Sequence, residues 1–124
     1  MESAEPVDLQ GVEAAYLIPG LVCMKLRGEH DLASKERLTE AFAAATTQIG
    51  VLVDLSECTF IDSTVIAVLL NAFTEIAERG GRLELVIPPE ATAVARVAQI
   101  AGLAAILPVH QSSAAALASL APSI

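Results

Sequence analysis

Apolar and polar residues alternate along the first part of the chain in the manner of β-strands. Two such runs are Val12–Ile18 and Leu21–Arg27, and the Pro-Gly dipeptide between them predicts a tight turn. In the second run every other residue from Val22 to Leu26 is apolar, which is the period of a strand with one buried face. We therefore expect an antiparallel hairpin at the start of the domain.

Amphipathic segments and two more apolar runs follow the hairpin. Helical periodicity predicts helices over Leu32–Gln48, Asp62–Arg79, Ala91–Ala101 and Ser112–Leu120. Strands are predicted over Val51–Leu55 and Arg82–Ile87, with Ser56–Ile61 as a connection. Parallel strands need a crossover, so the order β-β-α-β-α-β-α predicts an α/β domain with helices packed on a mixed sheet of about four strands. We expect a single domain over residues 1–124, with residues 1–10 as a flexible acidic lead-in.

The charge of the chain limits its partners. Fifteen acidic and seven basic residues give a net charge of −8. Because the chain has so few basic side chains, binding to nucleic acid or to an anionic membrane surface is disfavoured, whereas a protein with a basic surface is a suitable partner. The acidic N-terminus does not resemble a signal peptide, and no run reaches the ~18 apolar residues of a membrane span, so we expect a cytoplasmic protein.

The cysteines and the remaining motifs add little chemistry. Cys23 and Cys58 are the only cysteines, and both lie in apolar stretches, which predicts reduced and mostly buried thiols. His30 is expected to be a surface histidine in a loop. No metal-ligand spacing, nucleotide-binding loop or set of catalytic groups is present, so the sequence favours neither a cofactor nor an enzyme.

Acidic and hydroxyl side chains concentrate where the carboxyl ends of the strands are expected, which is the usual place for function in an α/β sheet. These residues are Glu29, Asp31, Asp54, Asp62, Ser63 and Thr64. Asp62 is a natural N-cap, and a serine beside it can carry a phosphate because a helix N-terminus accepts an anion. From the residues alone, the Asp-Ser pair is also consistent with an ordinary helix cap.

Two motifs at the proper separation resemble STAS domains. The segment Asp54–Thr64, with the sequence DLSECTFIDST, resembles the central motif of bacterial anti-sigma factor antagonists in that family. The segment Gly28–Leu32, GEHDL, is similar to the family's Gly-Glu-hydrophobe-Asp motif. The sequence departs from the pattern at Val65, where glycine is usual, at Ile66, where leucine is usual, and at His30, where a hydrophobe is usual.

The resemblance implies a STAS-like fold and a phosphorylation switch. In that family a serine kinase, which is also the anti-sigma factor, phosphorylates the serine after the motif aspartate, here Ser63. The unmodified protein binds the kinase and frees the sigma factor, and a phosphatase resets the switch. Asp31 and Asp62 would then flank the serine, with Glu29 and Thr64 as further contacts to the kinase.

Two alternatives share this pattern of strands and helices. A response-regulator receiver domain would use Asp54 as phosphoacceptor, but it needs a lysine after the last strand, and the only lysines are Lys25 and Lys35. An accessory STAS subunit of a lipid-transport ABC system would have the same fold and would bind an ATPase. Co-purification of the partner distinguishes that subunit from a sigma-factor regulator.

Overall fold

The computed structural model describes residues 7–8 and 10–120. Its strands are β1 (Val7–Asp8), β2 (Val12–Ile18), β3 (Leu21–His30), β4 (Gly50–Ile61), β5 (Arg82–Val86) and β6 (Val109–His110). Its helices are α1 (Lys35–Ala45), α2 (Ser63–Glu78), α3 (Thr92–Ile100) and α4 (Ser113–Leu120). Two short 3₁₀ turns, Leu32–Ser34 and Leu103–Ala105, complete the described elements.

The strands form one mixed sheet in the order β1-β2-β3-β4-β5-β6. β1 with β2 and β2 with β3 are antiparallel, as expected for the hairpin, and the remaining pairs are parallel. The four longer strands are the four that the sequence predicts, and β1 and β6 add two residues each. The α/β class and the mixed sheet are therefore confirmed. Within the predicted lead-in, β1 is paired to β2, while residues 1–6 and 9 lie outside the described part of the chain.

Alternation along the central strands divides the core into two unequal parts. Residues such as Val22, Val53 and Leu85 belong to the main core, which α1, α2 and α3 cover. Their neighbours on the opposite face, such as Leu52 and Val86, form a small cluster with α4. Helix α1 turns one apolar face to the main core, because Leu38, Phe42 and Ala45, at helical spacing, are all buried.

Strand β4 is longer than predicted, and the interpretation of Ser56–Ile61 as a connection is wrong. The segment continues β4 beside β3, with Cys58 opposite Gly28. Two register shifts accommodate the extension, one of them directly after Gly28, whose φ of +77° favours glycine. The polar residues that suggested a loop are exposed, and Glu57 forms an ion pair with Arg27, whose Nε donates to Glu57 Oε1 at 2.9 Å.

No helix among the described residues is long and apolar enough to cross a membrane.

Candidate functional site

The site is built on the carboxyl ends of two neighbouring parallel strands. β3 ends at His30 and β4 ends at Ile61, and these two residues are opposite each other in the register. Asp31 and Asp62 follow them directly, on strands whose spacing is about 4.8 Å in a sheet. The extension of β4 therefore carries the second aspartate to the same edge as the first.

Each aspartate caps the helix that it begins. Asp31 Oδ1 accepts a hydrogen bond of 2.9 Å from the backbone N–H of Ala33 in the 3₁₀ turn. Asp62 Oδ1 accepts one of 3.2 Å from the backbone N–H of Val65 in α2. Both aspartates have extended backbone angles, as an N-cap residue requires. The predicted cap at Asp62 is confirmed, and Asp31, for which no cap was predicted, has the same role.

Ser63 is the first residue of α2, and its side chain is exposed. The first N–H groups of a helix lack intrahelical partners and carry the positive end of the helix dipole. The Asp62 carboxylate accepts the N–H of Val65, two residues beyond Ser63, and the Asp62 carbonyl accepts that of Ile66 at 3.1 Å. Val65 itself is fully buried, so the residue that stands where the family has glycine points into the core and leaves the surface beside Ser63 unobstructed.

An apolar groove of about 370 Å³ adjoins Ser63 between the end of β4 and α3. Its lining consists of Phe60, Ile61, Asp62, Ser63, Ile66, Val97, Ile100 and Ala101. Ile100 is 81% exposed and Phe60 is 41% exposed, although both are large apolar side chains. The sequence did not reveal this groove, because its walls come from two segments that are distant in sequence, 60–66 and 97–101. The one available signal was Ile100, an isoleucine at the exposed end of α3.

Thr64 and Glu29 occupy different positions relative to Ser63. The half-buried Thr64 lines a groove of about 460 Å³ between α1 and α2, on the side of α2 away from α3. Glu29 is exposed and lies opposite Phe60 in the register of β3 and β4. Glu29, Asp31, Asp62 and Ser63 thus share one edge of the sheet, whereas Thr64 faces a neighbouring groove.

Asp54 does not belong to this edge, and its grouping with Asp62 is wrong. The extended β4 separates the two residues by eight positions, or about 25 Å at the usual rise of a strand. Asp54 is 5% exposed, and its carboxylate accepts the backbone N–H of Ser56 at 2.9 Å. It also contacts α4, whose first residue, Ser113, donates from Oγ to Asp54 Oδ2 at 3.5 Å.

His30 is buried, and its interpretation as a surface histidine is wrong. The side chain is 1% exposed because β3 continues to this residue instead of ending in a loop. Its Nε2 lies 3.2 Å from the Gly11 carbonyl and 3.0 Å from the Arg27 carbonyl. Since both oxygens can only accept, Nε2 carries the proton and fastens the turn before β2 to the end of β3.

Both cysteines are free thiols in apolar surroundings, Cys58 buried and Cys23 half-buried. Burial and, to a smaller extent, the Asp54 carboxylate raise the pKa of Cys23 to about 11. Burial also raises the pKa of Cys58. Neither thiol is therefore ionised to a useful extent at neutral pH, as expected for structural cysteines.

Both the sequence and the fold are similar to those of known proteins. The model of the family described as "Mlab, STAS domain" matches residues 20–108. The fold is similar to that of an anti-sigma factor antagonist from Mycobacterium paratuberculosis, with 20% identity, a TM-score of 0.78 and coverage of 89% of this chain and 92% of that one. Since the family model spans more than half of the sequence, the protein belongs to the STAS domain family, which confirms the resemblance of the two motifs.

The fold is also similar to that of SpoIIAA, an anti-sigma factor antagonist whose structure is known in two forms. The unphosphorylated form shares 16% identity at a TM-score of 0.69, with coverage of 91% of this chain and 99% of that one. The phosphorylated form, from Bacillus, shares 19% identity at a TM-score of 0.67, with coverage of 87% and 97%. At these identities the likeness establishes the fold.

Proposed function

We propose that the protein is an anti-sigma factor antagonist, a bacterial cytoplasmic switch that acts by binding a protein and not as an enzyme. The unphosphorylated form binds an anti-sigma factor that is also a serine kinase, and the sigma factor is released. Phosphorylation of Ser63 ends this binding, and a phosphatase restores it. The observation that carries the proposal is the exposed hydroxyl of Ser63 at the capped start of α2.

The free protein tolerates a phosphate at this position. A phosphoserine carries about −1.5 to −2 charges at neutral pH. At the first residue of α2 those charges meet unpaired backbone N–H groups and the positive end of the helix dipole. Ser63 is exposed, so the phosphate needs no cavity in the core. The fold therefore has no physical reason to rearrange on phosphorylation.

The complex tolerates the same phosphate poorly. The surface around Ser63 combines an apolar groove with the carboxylates of Asp31, Asp62 and Glu29. A partner that covers this surface has to desolvate a phosphate beside three acidic groups, at a position where a bare hydroxyl fitted. Like-charge repulsion and desolvation both oppose the phosphorylated complex.

The same surface indicates the chemistry of the partner. Ile100 and Phe60 offer apolar area that a partner can bury, and such contacts at the centre of an interface contribute most of its binding energy. The acidic rim and the net charge of −8 favour a partner that presents basic residues around an apolar side chain. That SpoIIAA has been solved in a phosphorylated form also supports a phosphorylation switch on this fold.

Phosphate mapping tests the proposal. Incubation of the purified protein with its cognate serine kinase and ATP should place one phosphate on Ser63, and Ser63→Ala should abolish the labelling. Thr64→Val is the matched control, because it removes the neighbouring hydroxyl with little change of shape and should still be labelled. A phosphate on Thr64 or Ser56 would contradict the assignment, and co-purification with a transporter ATPase would indicate the accessory-subunit function instead.

A further inference from the structure

Helix α4 covers the face of the sheet that lies opposite α1, α2 and α3. The hydrophobic cluster at this contact is small. Its buried residues are Leu21, Leu52 and Val86 of the sheet and Ala116 and Leu120 of α4, with Cys23 and Leu117 packed against them. Only two of these buried residues, Ala116 and Leu120, belong to α4. Since the stabilisation from apolar burial scales with buried area, so small a contact holds an eight-residue helix weakly.

A buried carboxylate ties the end of α4 to the sheet. Glu84 of β5 is 0% exposed, and its oxygens lie 3.1 Å from Ser119 Oγ of α4, 2.7 Å from His110 Nε2 of β6 and 2.6 Å from Arg82 Nη2. Arg82 Nη1 also donates to the backbone carbonyl of Ser119 at 3.3 Å. One side chain thus joins β5, β6 and α4 through charge-assisted hydrogen bonds, which are stronger than neutral ones.

A second buried carboxylate lies near the start of the same helix. Asp54 of β4 is 5% exposed, and its Oδ2 lies 3.5 Å from Ser113 Oγ at the first residue of α4. A negative charge at this end complements the helix dipole. The two ends of α4 are therefore connected to the sheet by acidic residues of two adjacent strands, β4 and β5.

We propose that α4 is a detachable cover whose attachment to the sheet is set by Glu84. The hydrogen bond between Glu84 and Ser119 breaks when α4 moves away from the sheet, because a hydrogen bond does not persist much beyond its normal length. Detachment uncovers Leu52 and Val86 and exposes the half-buried thiol of Cys23 further, on a face that is separate from the Ser63 edge. The proposed switch at Ser63 and the cover at α4 thus occupy different parts of the fold.

The two thiols report on the two faces of the sheet. Cys23 packs against the cluster under α4, whereas Cys58 belongs to the main core on the other face. The rate at which N-ethylmaleimide modifies each cysteine at pH 8, followed by mass spectrometry of the peptides, measures the opening of each face separately. Glu84→Gln keeps the shape of the side chain and removes its charge.

The expected result is at least about tenfold faster modification of Cys23 in Glu84→Gln, which corresponds to about 1.4 kcal/mol, with Cys58 unchanged. Ser119→Ala removes only the α4 side of the contact and favours the helix intrinsically, so faster modification of Cys23 in this variant also reports weaker attachment. Thr74→Ala, which removes an exposed hydroxyl from α2, is the control and should change neither rate.

Two results would overturn the proposal. One is an unchanged rate at Cys23 in both Glu84→Gln and Ser119→Ala. The other is acceleration of Cys58 in step with Cys23 in Ser119→Ala, which would mean that the contact stabilises the whole domain. If Glu84→Gln unfolds the protein, the two rates in Ser119→Ala decide the matter alone. Neither result bears on phosphorylation of Ser63.

Discussion

Asp31 and Asp62 occupy equivalent places on two neighbouring strands: each follows a member of the register pair His30–Ile61, and each caps the helical segment that it begins. Because β3 and β4 are parallel and end together, the two caps lie side by side at one edge of the sheet. Ser63, the next residue after the second cap, is therefore presented beside two carboxylates whose positions are fixed by backbone hydrogen bonds. We infer that this arrangement both positions the serine hydroxyl and makes a phosphate unfavourable in a complex.

The cap and the charge of Asp62 can be separated by two substitutions. Asp62→Ala should lower the free energy of unfolding by about 0.5–2 kcal/mol, because the N–H of Val65 loses its acceptor. Asp62→Asn should lose less than about 0.5 kcal/mol, since asparagine is an equally good N-cap. Urea denaturation measures both values. Equal stability of wild type and Asp62→Ala would show that the cap contributes nothing.

The groove beside Ser63 gives a prediction for partner binding. Ile100→Glu should weaken binding of the anti-sigma factor kinase by at least about tenfold, because it places a charge where apolar contact is expected. The stability of the fold should not change, since the Ile100 side chain is 81% exposed. Ile106→Glu is the matched control, an isoleucine that is 50% exposed and outside the groove. Equal loss of affinity in both variants would point to a general charge effect.

Val65 gives a prediction about the departure from the family pattern. Val65→Gly restores the usual residue of STAS motifs, but it should lower the free energy of unfolding by about 2–4 kcal/mol. Two effects contribute to this loss: the apolar area of the fully buried Val65 side chain is removed, and glycine has a poor helix propensity. The rate of phosphorylation at Ser63, measured where the variant is still folded, should stay within about twofold of wild type, because Val65 does not reach the surface. A large gain in that rate would mean that Val65 obstructs the kinase.

Cys23 is expected to make the free energy of unfolding decrease at alkaline pH. Burial raises the pKa of the thiol from 9.0 to about 11 in the folded protein, so the folded state retains the proton to a higher pH than the unfolded state. The resulting stabilisation is complete below pH 9 and is lost as the pH rises to about 11. Urea denaturation from pH 8 to pH 11 should therefore show a smaller decline for Cys23→Ala than for wild type. Identical slopes would contradict the shift.

The period of the apolar residues was sufficient to predict most of the fold. Four strands, the helices and the cap at Asp62 follow from local patterns, since burial of one face imposes the period and short polar side chains begin helices. Local patterns failed at Ser56–Ile61, where exposed polar residues resemble a loop although pairing with β3 holds them in a strand. Strand pairing is a long-range contact that a local pattern does not contain.

The candidate site shows the same division between local and long-range information. Asp62 and Ser63 were proposed from adjacent residues and from the resemblance to STAS motifs, whereas the groove between Phe60 and Ile100 depends on the packing of α3 against β4. The burial of His30 likewise depends on contacts with the Gly11 carbonyl, nineteen residues earlier in the chain. Each missed feature joins segments that are distant in sequence.

The most direct test of the switch is the affinity of the kinase for the unmodified and the phosphorylated protein, measured by isothermal titration calorimetry. Ser63→Ala, which keeps a small uncharged side chain, is the control and should bind as the unmodified protein does. A penalty of about 3 kcal/mol from repulsion and desolvation predicts roughly 100-fold weaker binding after phosphorylation of Ser63. Equal affinity of the two forms would contradict the proposed switch.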